Sequence, residues 1–152
     1  MLVEVIGLEA RRIMIVANQT APGPHLAELV AERMAQGPCT FVLLVPVSAP
    51  KGTWTFTDDE ALALARERMQ QAIDGLKGLD AKVEGRVEVG APFDAVTAYL
   101  DSRRLEDEQP FDEIVLSTLA PGASRWLKQD LPHRLERHLQ IPVTHVIGQA
   151  AP

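Results

Sequence analysis

Apolar and polar residues follow two different periods along this chain. Five segments are either continuously apolar or alternate between apolar and polar residues, and both patterns predict β-strands. The five segments are Ile13–Ala17, Thr40–Val47, Lys82–Val89, Phe111–Leu119 and Ile141–Ile147. Because the third of them alternates, we expect it near an edge of the sheet, with one face more exposed than the other.

Between the strands, apolar residues recur at helical spacing. The predicted helices are His25–Gln36, Thr57–Leu76, Phe93–Leu105 and Asp130–Gln140. Thr57 and Glu60 have the spacing of a capping box at the start of the second helix. Because strands and helices alternate and crossovers between parallel strands are right-handed, we predict an α/β fold with a doubly wound sheet of five parallel strands.

The length and composition are those of one globular domain. The chain has 152 residues, of which 46% are hydrophobic and 24% are charged. We predict that the domain spans residues 11–148. Residues 1–10 begin with Met1–Gly7, a stretch that also alternates. They fit either an extra edge strand or a loose terminus, and the sequence leaves both open.

The net charge bears on the kinds of partner that the protein binds, and the single cysteine bears on its location in the cell. A formal net charge of −6 argues against a nucleic-acid-binding protein, which normally presents a basic surface. No apolar run approaches the ~20 residues that cross a membrane, so we expect no membrane partner. Cys39 is the only cysteine, and the N-terminus lacks the basic start of a secretory signal. We therefore expect a cytoplasmic protein.

Two groups of polar residues follow the first and fourth predicted strands. In parallel α/β sheets, ligands bind outside the carboxyl ends of the strands, so these residues are candidate contacts to a ligand or cofactor. They are Asn18, Gln19, Thr20, Ser117, Thr118, Gly122, Ser124 and Arg125. The alternative stays open that they serve the backbone, since Asn and Thr form turns and Ser124 is placed to cap a helical turn. His25, at a helix start, is interpreted as a surface residue.

Three segments carry a resemblance to a known family: RRIMIVAN at 11–18, GAPFDAV at 90–96, and DEIVLST…SRWLKQDLPHRLERHLQIPVTHVI at 112–147. With the order of strands and helices, they make the chain resemble the universal stress proteins from Arg11 to Ile147. The resemblance implies a three-layer Rossmann-like fold, of the adenine nucleotide alpha hydrolase-like group, with strand order 3-2-1-4-5. It also implies a homodimer formed through the last strand, Val143–Ile147, and ATP or another adenine nucleotide as ligand.

The ATP-binding motif of that family is altered here. ATP-binding members carry an aspartate after the first strand and glycines after the fourth, where backbone N–H groups reach phosphate oxygens. The corresponding positions hold other residues: Asn18, Ser117, Ala120 and Gln129-Asp130. We expect the Asp130 carboxylate to repel phosphates, while Arg125 and Lys128 offer another way to hold an anion. The resemblance therefore implies atypical or lost ATP binding.

The function implied by the resemblance is a non-catalytic binding or signalling module of the stress response. Two alternatives stay open. One is a nucleotide-binding enzyme of the same fold group, such as an ATP hydrolase or an adenylyl transferase. The other is a structural dimer partner that binds no ligand. The sequence has no HExxH motif, no CxxC pair and no carboxylate cluster with ligand spacing. We therefore assign no catalytic and no metal-binding residue, and the balance is against an enzyme.

Overall fold

The computed structural model describes residues 10–48, 56–106 and 108–149, with the side chains of residues 56 and 57 left out. The five strands of this part are β1 Arg11–Val16, β2 Cys39–Val47, β3 Lys82–Val89, β4 Glu113–Thr118 and β5 Val143–Ile147. Its helices are α1 Pro24–Gln36, α2 Phe56–Lys77, α3 Pro92–Leu105, α4 Arg125–Lys128 and α5 Leu131–Leu139. The proposed strand in residues 1–10 and the Thr57 cap fall outside the described residues.

The strands form one parallel sheet in the order β3-β2-β1-β4-β5. This order confirms the predicted fold class, and β3 lies at an edge as its alternating sequence predicts. Beside β1, the sheet continues through β2 in one direction and through β4 in the other. The direction of winding therefore reverses between β1 and β4, which leaves a crevice at the carboxyl ends of these two strands.

Helices cover both faces of the sheet, as three layers require. On one face, α1 and α2 pack on Ile13, Ile15 and Val115. On the other face, α3 and α5 pack on Met14, Val16 and Leu116. The central strands are continuously apolar because successive side chains point to opposite faces and both faces are buried.

Two local features differ from the sequence prediction. The segment before the last helix forms the short helix α4 rather than a turn alone. Asp130, predicted as the first residue of the last helix, instead adopts the left-handed conformation (φ 55°) between α4 and α5. No helix within the described ranges is both long and apolar enough to cross a lipid bilayer.

One carboxylate is buried where β4 begins. The side chain of Glu113 is 6% exposed, and Arg33 of α1 donates to both of its oxygens, at 3.0 and 2.9 Å. Thr144 of β5 donates to the same carboxylate at 2.5 Å. Burial alone would raise the pKa of Glu113. The hydrogen bonds from Arg33 and Thr144, together with the nearby charges of Arg33 and Arg11, outweigh burial and hold that pKa below its ordinary value.

Replacing Glu113 by Gln should destabilise the fold by about 3 kcal/mol, because Arg33 then loses its buried charged partner and keeps only the exposed Glu32. The free energy of unfolding in urea at pH 7 measures this change. Glu67→Gln is the matched control, since Glu67 is exposed on α2, and it should change stability by less than about 0.5 kcal/mol. Equal effects of the two variants would contradict a stabilising role for the buried pair.

The advantage of the wild type over Glu113→Gln should depend on pH. The folded-state pKa of Glu113 lies below the ordinary value of 4.5, which represents the unfolded chain. The stabilisation from the charged carboxylate is therefore fully present above pH 4.5 and is lost as the pH falls through the folded-state pKa. Urea unfolding of both proteins across this range should show the gap between them closing on acidification, and a gap independent of pH would contradict the assignment.

Candidate ligand-binding cleft

A cleft of about 350 Å³ lies at the carboxyl ends of β1, β2 and β4, with α2 as one wall. Seven of the eight residues predicted from the sequence line it: Asn18, Gln19, Thr20, Ser117, Thr118, Ser124 and Arg125. Gly122 is not among the lining residues. Its φ of +93° favours glycine, and a Cβ there would have open space around it, so Gly122 shapes the loop instead.

Asn18 connects two walls of the cleft. Its side-chain amide donates to the carbonyl oxygen of Pro46 on β2 at 2.8 Å, and its oxygen accepts from Nη1 of Arg68 on α2 at 2.9 Å. An aspartate at this position could accept from Arg68 but could not donate to Pro46. Asparagine therefore holds the two walls together with one side chain.

Arg68 is a cleft residue that the sequence analysis missed. Its Nε atom is buried and has no hydrogen-bond partner among the described residues. Arg68 follows Ala61 and Leu64 at helical spacing, and all three line the cleft. This spacing was the available signal, but the neighbouring Arg66 and Glu67 make Arg68 look like one more charge on a solvated helix.

A chain of polar groups leads from the floor of the cleft to α1: Thr20 and Ser117 line the cleft, and His25 lies behind them. The Thr20 and Ser117 hydroxyl oxygens are 2.5 Å apart, and Nε2 of His25 lies 2.7 Å from the Ser117 oxygen. Thr20 and Ser117 are buried and His25 is half-buried. The interpretation of His25 as a surface residue was therefore wrong. The contact joins residues 92 positions apart, which no local sequence pattern reveals.

The His25 ring fits against two glycines. A Cβ at Gly23 or at Gly148 would overlap the imidazole, so only glycine leaves room for the ring at either position. Burial lowers the pKa of His25, and the charge of Glu28 acts more weakly in the opposite direction. The ring also stands in the first turn of α1, where the helix dipole disfavours a positive charge. His25 is consequently neutral at pH 7.

The imidazole of His145 contacts Thr118, the residue after Ser117 on β4. Nε2 of His145 lies 2.7 Å from the Thr118 hydroxyl oxygen, and the Gly148 N–H donates to the Thr118 carbonyl at 2.9 Å. Burial lowers the pKa of His145 as well. These bonds hold the end of β5 against β4, at the side of the cleft.

Only some of the charged residues after β4 reach the cleft. Arg125 and Trp126 line the cleft, whereas Lys128 is not among its lining residues. Ser124 caps α4 by accepting from the Leu127 N–H at 3.2 Å. Ser124 therefore has the capping role that the sequence analysis gave as an alternative to ligand contact. Asp130 also lies outside the lining, and it contacts His133 at 2.8 Å. The expected repulsion between Asp130 and a bound phosphate does not arise from this position.

The cleft is cationic in an acidic chain. Among the described residues that line it, Arg68 and Arg125 carry charge and none is acidic, although the whole chain has a net charge of −6. The hydroxyl groups of Thr20, Ser117 and Thr118 also lie in the lining, where each forms a hydrogen bond with a protein group. Within the described ranges, no group of three or more His, Cys, Asp or Glu residues is arranged to hold a metal ion. The two guanidinium groups suit an anion such as a phosphate or a carboxylate, whose oxygens accept hydrogen bonds.

Gly148→Ala should push the His25 ring away from Ser117, because the added Cβ overlaps the imidazole. Outside its buried position, the ring should regain an ordinary pKa near 6.5, higher than in the wild type. NMR titration of the His25 ring protons measures the change. Gly75→Ala, on α2 with open space around it, should leave this pKa unaltered. The same low pKa in Gly148→Ala would show that the glycine contact does not hold the ring.

Comparison with solved structures supports the fold described above. No family model and no curated sequence matches the chain. A universal stress protein from Archaeoglobus fulgidus superposes with a TM-score of 0.61 at 17% identity, covering 94% of this chain and 98% of that one.

Two further solved structures hold ligands. A universal stress protein in complex with cAMP has a TM-score of 0.59 at 17% identity, over 92% of this chain and 98% of its own. A universal stress protein family protein from Arabidopsis thaliana with AMP bound has a TM-score of 0.58 at 13% identity, over 92% and 93%. The chain therefore has the fold of the universal stress proteins.

Proposed function

We propose that the protein is a divergent member of the universal stress protein family, and that its cleft binds an adenine nucleotide with a single phosphate group. The observation that carries this proposal is the cleft itself, with two arginines and no acidic residue among its described lining. Proteins of the same fold have been crystallised with AMP and cAMP. The role is that of a binding or signalling module in the stress response, which leaves the nucleotide chemically unchanged.

The chemistry of the cleft favours one phosphate over three. Ser117 and Ala120 carry side chains where glycines would let backbone N–H groups approach a triphosphate. A volume of about 350 Å³ lies at the lower end of ligand clefts, which span about 300–1,000 Å³. Arg68 and Arg125 neutralise a phosphate directly, without a bridging metal ion. This composition supports atypical binding of a short nucleotide and loss of the ATP mode.

An apolar wall faces these polar groups. Leu64, Trp126 and Val47 line the cleft together with the arginines. Leu64 is 43% exposed, although it is a large apolar side chain. A purine ring would cover such surface and stack on an aromatic or apolar partner. The combination of apolar wall and cations matches the two chemical halves of a nucleotide.

The affinity for AMP should fall at least tenfold in Arg68→Ala and in Arg125→Ala, because a hydrogen bond to a charged group contributes about 1.5–3 kcal/mol. Isothermal titration with AMP, with and without magnesium, measures the affinity, and magnesium should leave it unchanged. Arg66→Ala is the matched control, since Arg66 is exposed two residues before Arg68 on the same helix. Equal affinities of all three variants and the wild type would contradict the assignment of the two arginines.

The same titrations separate the alternatives. ATP hydrolysis or adenylyl transfer in the presence of magnesium would favour the enzyme of this fold group. Absence of binding by AMP, cAMP and ATP at millimolar concentration would favour a structural dimer partner. A cytoplasmic location belongs to the proposal, and it rests on the single cysteine, which fits a reducing compartment.

The proposal includes a homodimer formed through β5. This strand is an edge of the sheet, so one row of its backbone groups is free of a neighbouring strand within the described chain. Its last residue, Ile147, is 52% exposed. A strand edge of this kind pairs readily with a second copy.

Ile147→Glu should weaken the dimer, because a buried carboxylate without a partner is costly at a subunit contact. Sedimentation equilibrium measures the dissociation constant, which we expect to rise at least tenfold. Leu105→Glu introduces the same charge at an apolar residue of α3 that is 88% exposed, and it should leave association unaltered. A monomeric wild type, or a dimer insensitive to Ile147→Glu, would overturn this part of the proposal.

A further inference from the structure

The polar floor of the cleft contains an arrangement that nucleotide binding does not require. Ser117 follows Val115 on the same face of β4, and the residue is only 1% exposed although it carries a hydroxyl. Burying that hydroxyl is unfavourable unless it is hydrogen-bonded. Thr20 and His25 provide the bonds, at 2.5 and 2.7 Å. Three polar groups that are distant in sequence thus converge near the end of β4.

The imidazole of this cluster is prepared to accept a proton. It is neutral at pH 7, because burial lowers its pKa. The ring packs closely against Gly23 and Gly148, and a side chain at either position would overlap it. This packing holds the ring toward Ser117 before any ligand binds. In the tautomer with Nε2 unprotonated, Thr20 donates to Ser117 and Ser117 donates to His25. The chain of donors then points the serine proton at the imidazole.

We propose that Ser117 and His25 form a nucleophile and general base that accept an acyl group from an ester bearing an anionic group. The serine oxygen and the histidine nitrogen lie within the hydrogen-bond distance that such a pair needs. Ser117 is only 1% exposed but is among the residues that line the cleft, so a carbonyl carbon can approach its oxygen only from the cleft side.

The reaction has two balanced steps. The Ser117 oxygen forms a bond to the carbonyl carbon, and its proton passes to Nε2 of His25. The bond between the carbonyl carbon and the leaving alcohol oxygen then breaks, and His25 returns the proton to that oxygen. Water next attacks the acyl-serine in the same way, with His25 taking a proton from the water and giving it back to the Ser117 oxygen. The products are a carboxylic acid and an alcohol.

The walls of the cleft select the class of ester. Arg68 and Arg125 stand in the same cleft as Ser117, and none of the described lining residues is acidic. An ester that carries a carboxylate or a phosphate is held by these guanidinium groups, and a neutral ester of the same size is not. This activity goes beyond the proposed nucleotide binding, and it is measured without any nucleotide.

The first experiment uses an alkyl fluorophosphonate, which reacts with an activated serine. The serine oxygen bonds to phosphorus, fluoride leaves, and the proton goes to His25. Intact-protein mass spectrometry should show one label, and peptide mapping should place it on Ser117. His25→Gln should react about 100-fold more slowly, since a general base contributes about 10²–10⁴-fold. Matched controls are His133→Gln and Ser102→Ala, both at exposed positions, which should react like the wild type.

The pH profile of the wild type provides a test that needs no variant. The labelling rate should fall on acidification, with an apparent pKa below 6.5, because protonated His25 cannot accept the serine proton. Thermal melting of each variant separates loss of reactivity from loss of folding. Label on another residue, no label on the folded wild type, or an equal rate in folded His25→Gln would overturn the proposal.

The second experiment tests the ester class with two p-nitrophenyl esters of equal chain length. One carries a free carboxylate at the end of its acyl group, and the other ends in a methyl group. Release of p-nitrophenolate should be about tenfold faster from the carboxylate ester, and Arg68→Ala should remove the preference. Equal rates for both esters in the wild type would overturn the anionic class, and AMP titration of the same protein reports separately on nucleotide binding.

Discussion

The ion pair between Glu113 and Arg33 fixes the position of β4, and the cleft at the other end of that strand depends on it. Glu113 begins the strand and is bound by groups from α1 and β5. A shift of one residue would leave this carboxylate without its partners and would turn every side chain of β4 to the opposite face. Ser117 would then point away from His25. One buried charge thus holds in place two hydroxyl-bearing residues a strand length away.

The fold was accessible from the sequence because it depends on local periodicity. Continuous apolar runs predict the central strands, and the alternating pattern of β3 predicts an edge, as the sheet order confirms. The crevice between β1 and β4 follows from the strand order 3-2-1-4-5, which the resemblance to the universal stress proteins implied, and Asn18 and Ser117 were proposed as ligand contacts at the ends of these strands.

The rest of the site depends on contacts between residues distant in sequence. His25 meets Ser117 across 92 positions, and Arg68 meets Asn18 across 50. Each looks ordinary in its own segment, one as a helix-start residue and the other as a charge on an amphipathic helix. Gly122 lies outside the described lining of the cleft, because a glycine after a strand serves a turn as readily as a ligand. Asp130 was expected near the phosphates because a motif alignment does not show which way a loop turns.

The contact between Gly148 and the His25 ring has a consequence for related sequences. A Cβ at position 148 would overlap the imidazole of residue 25 where it now lies, so a relative with a side chain at 148 cannot keep that ring in this place. Such a relative either carries a smaller residue at 25 or turns the imidazole away from residue 117. The identity of one residue after the last strand therefore sorts relatives into those that can keep the serine–histidine pair and those that cannot.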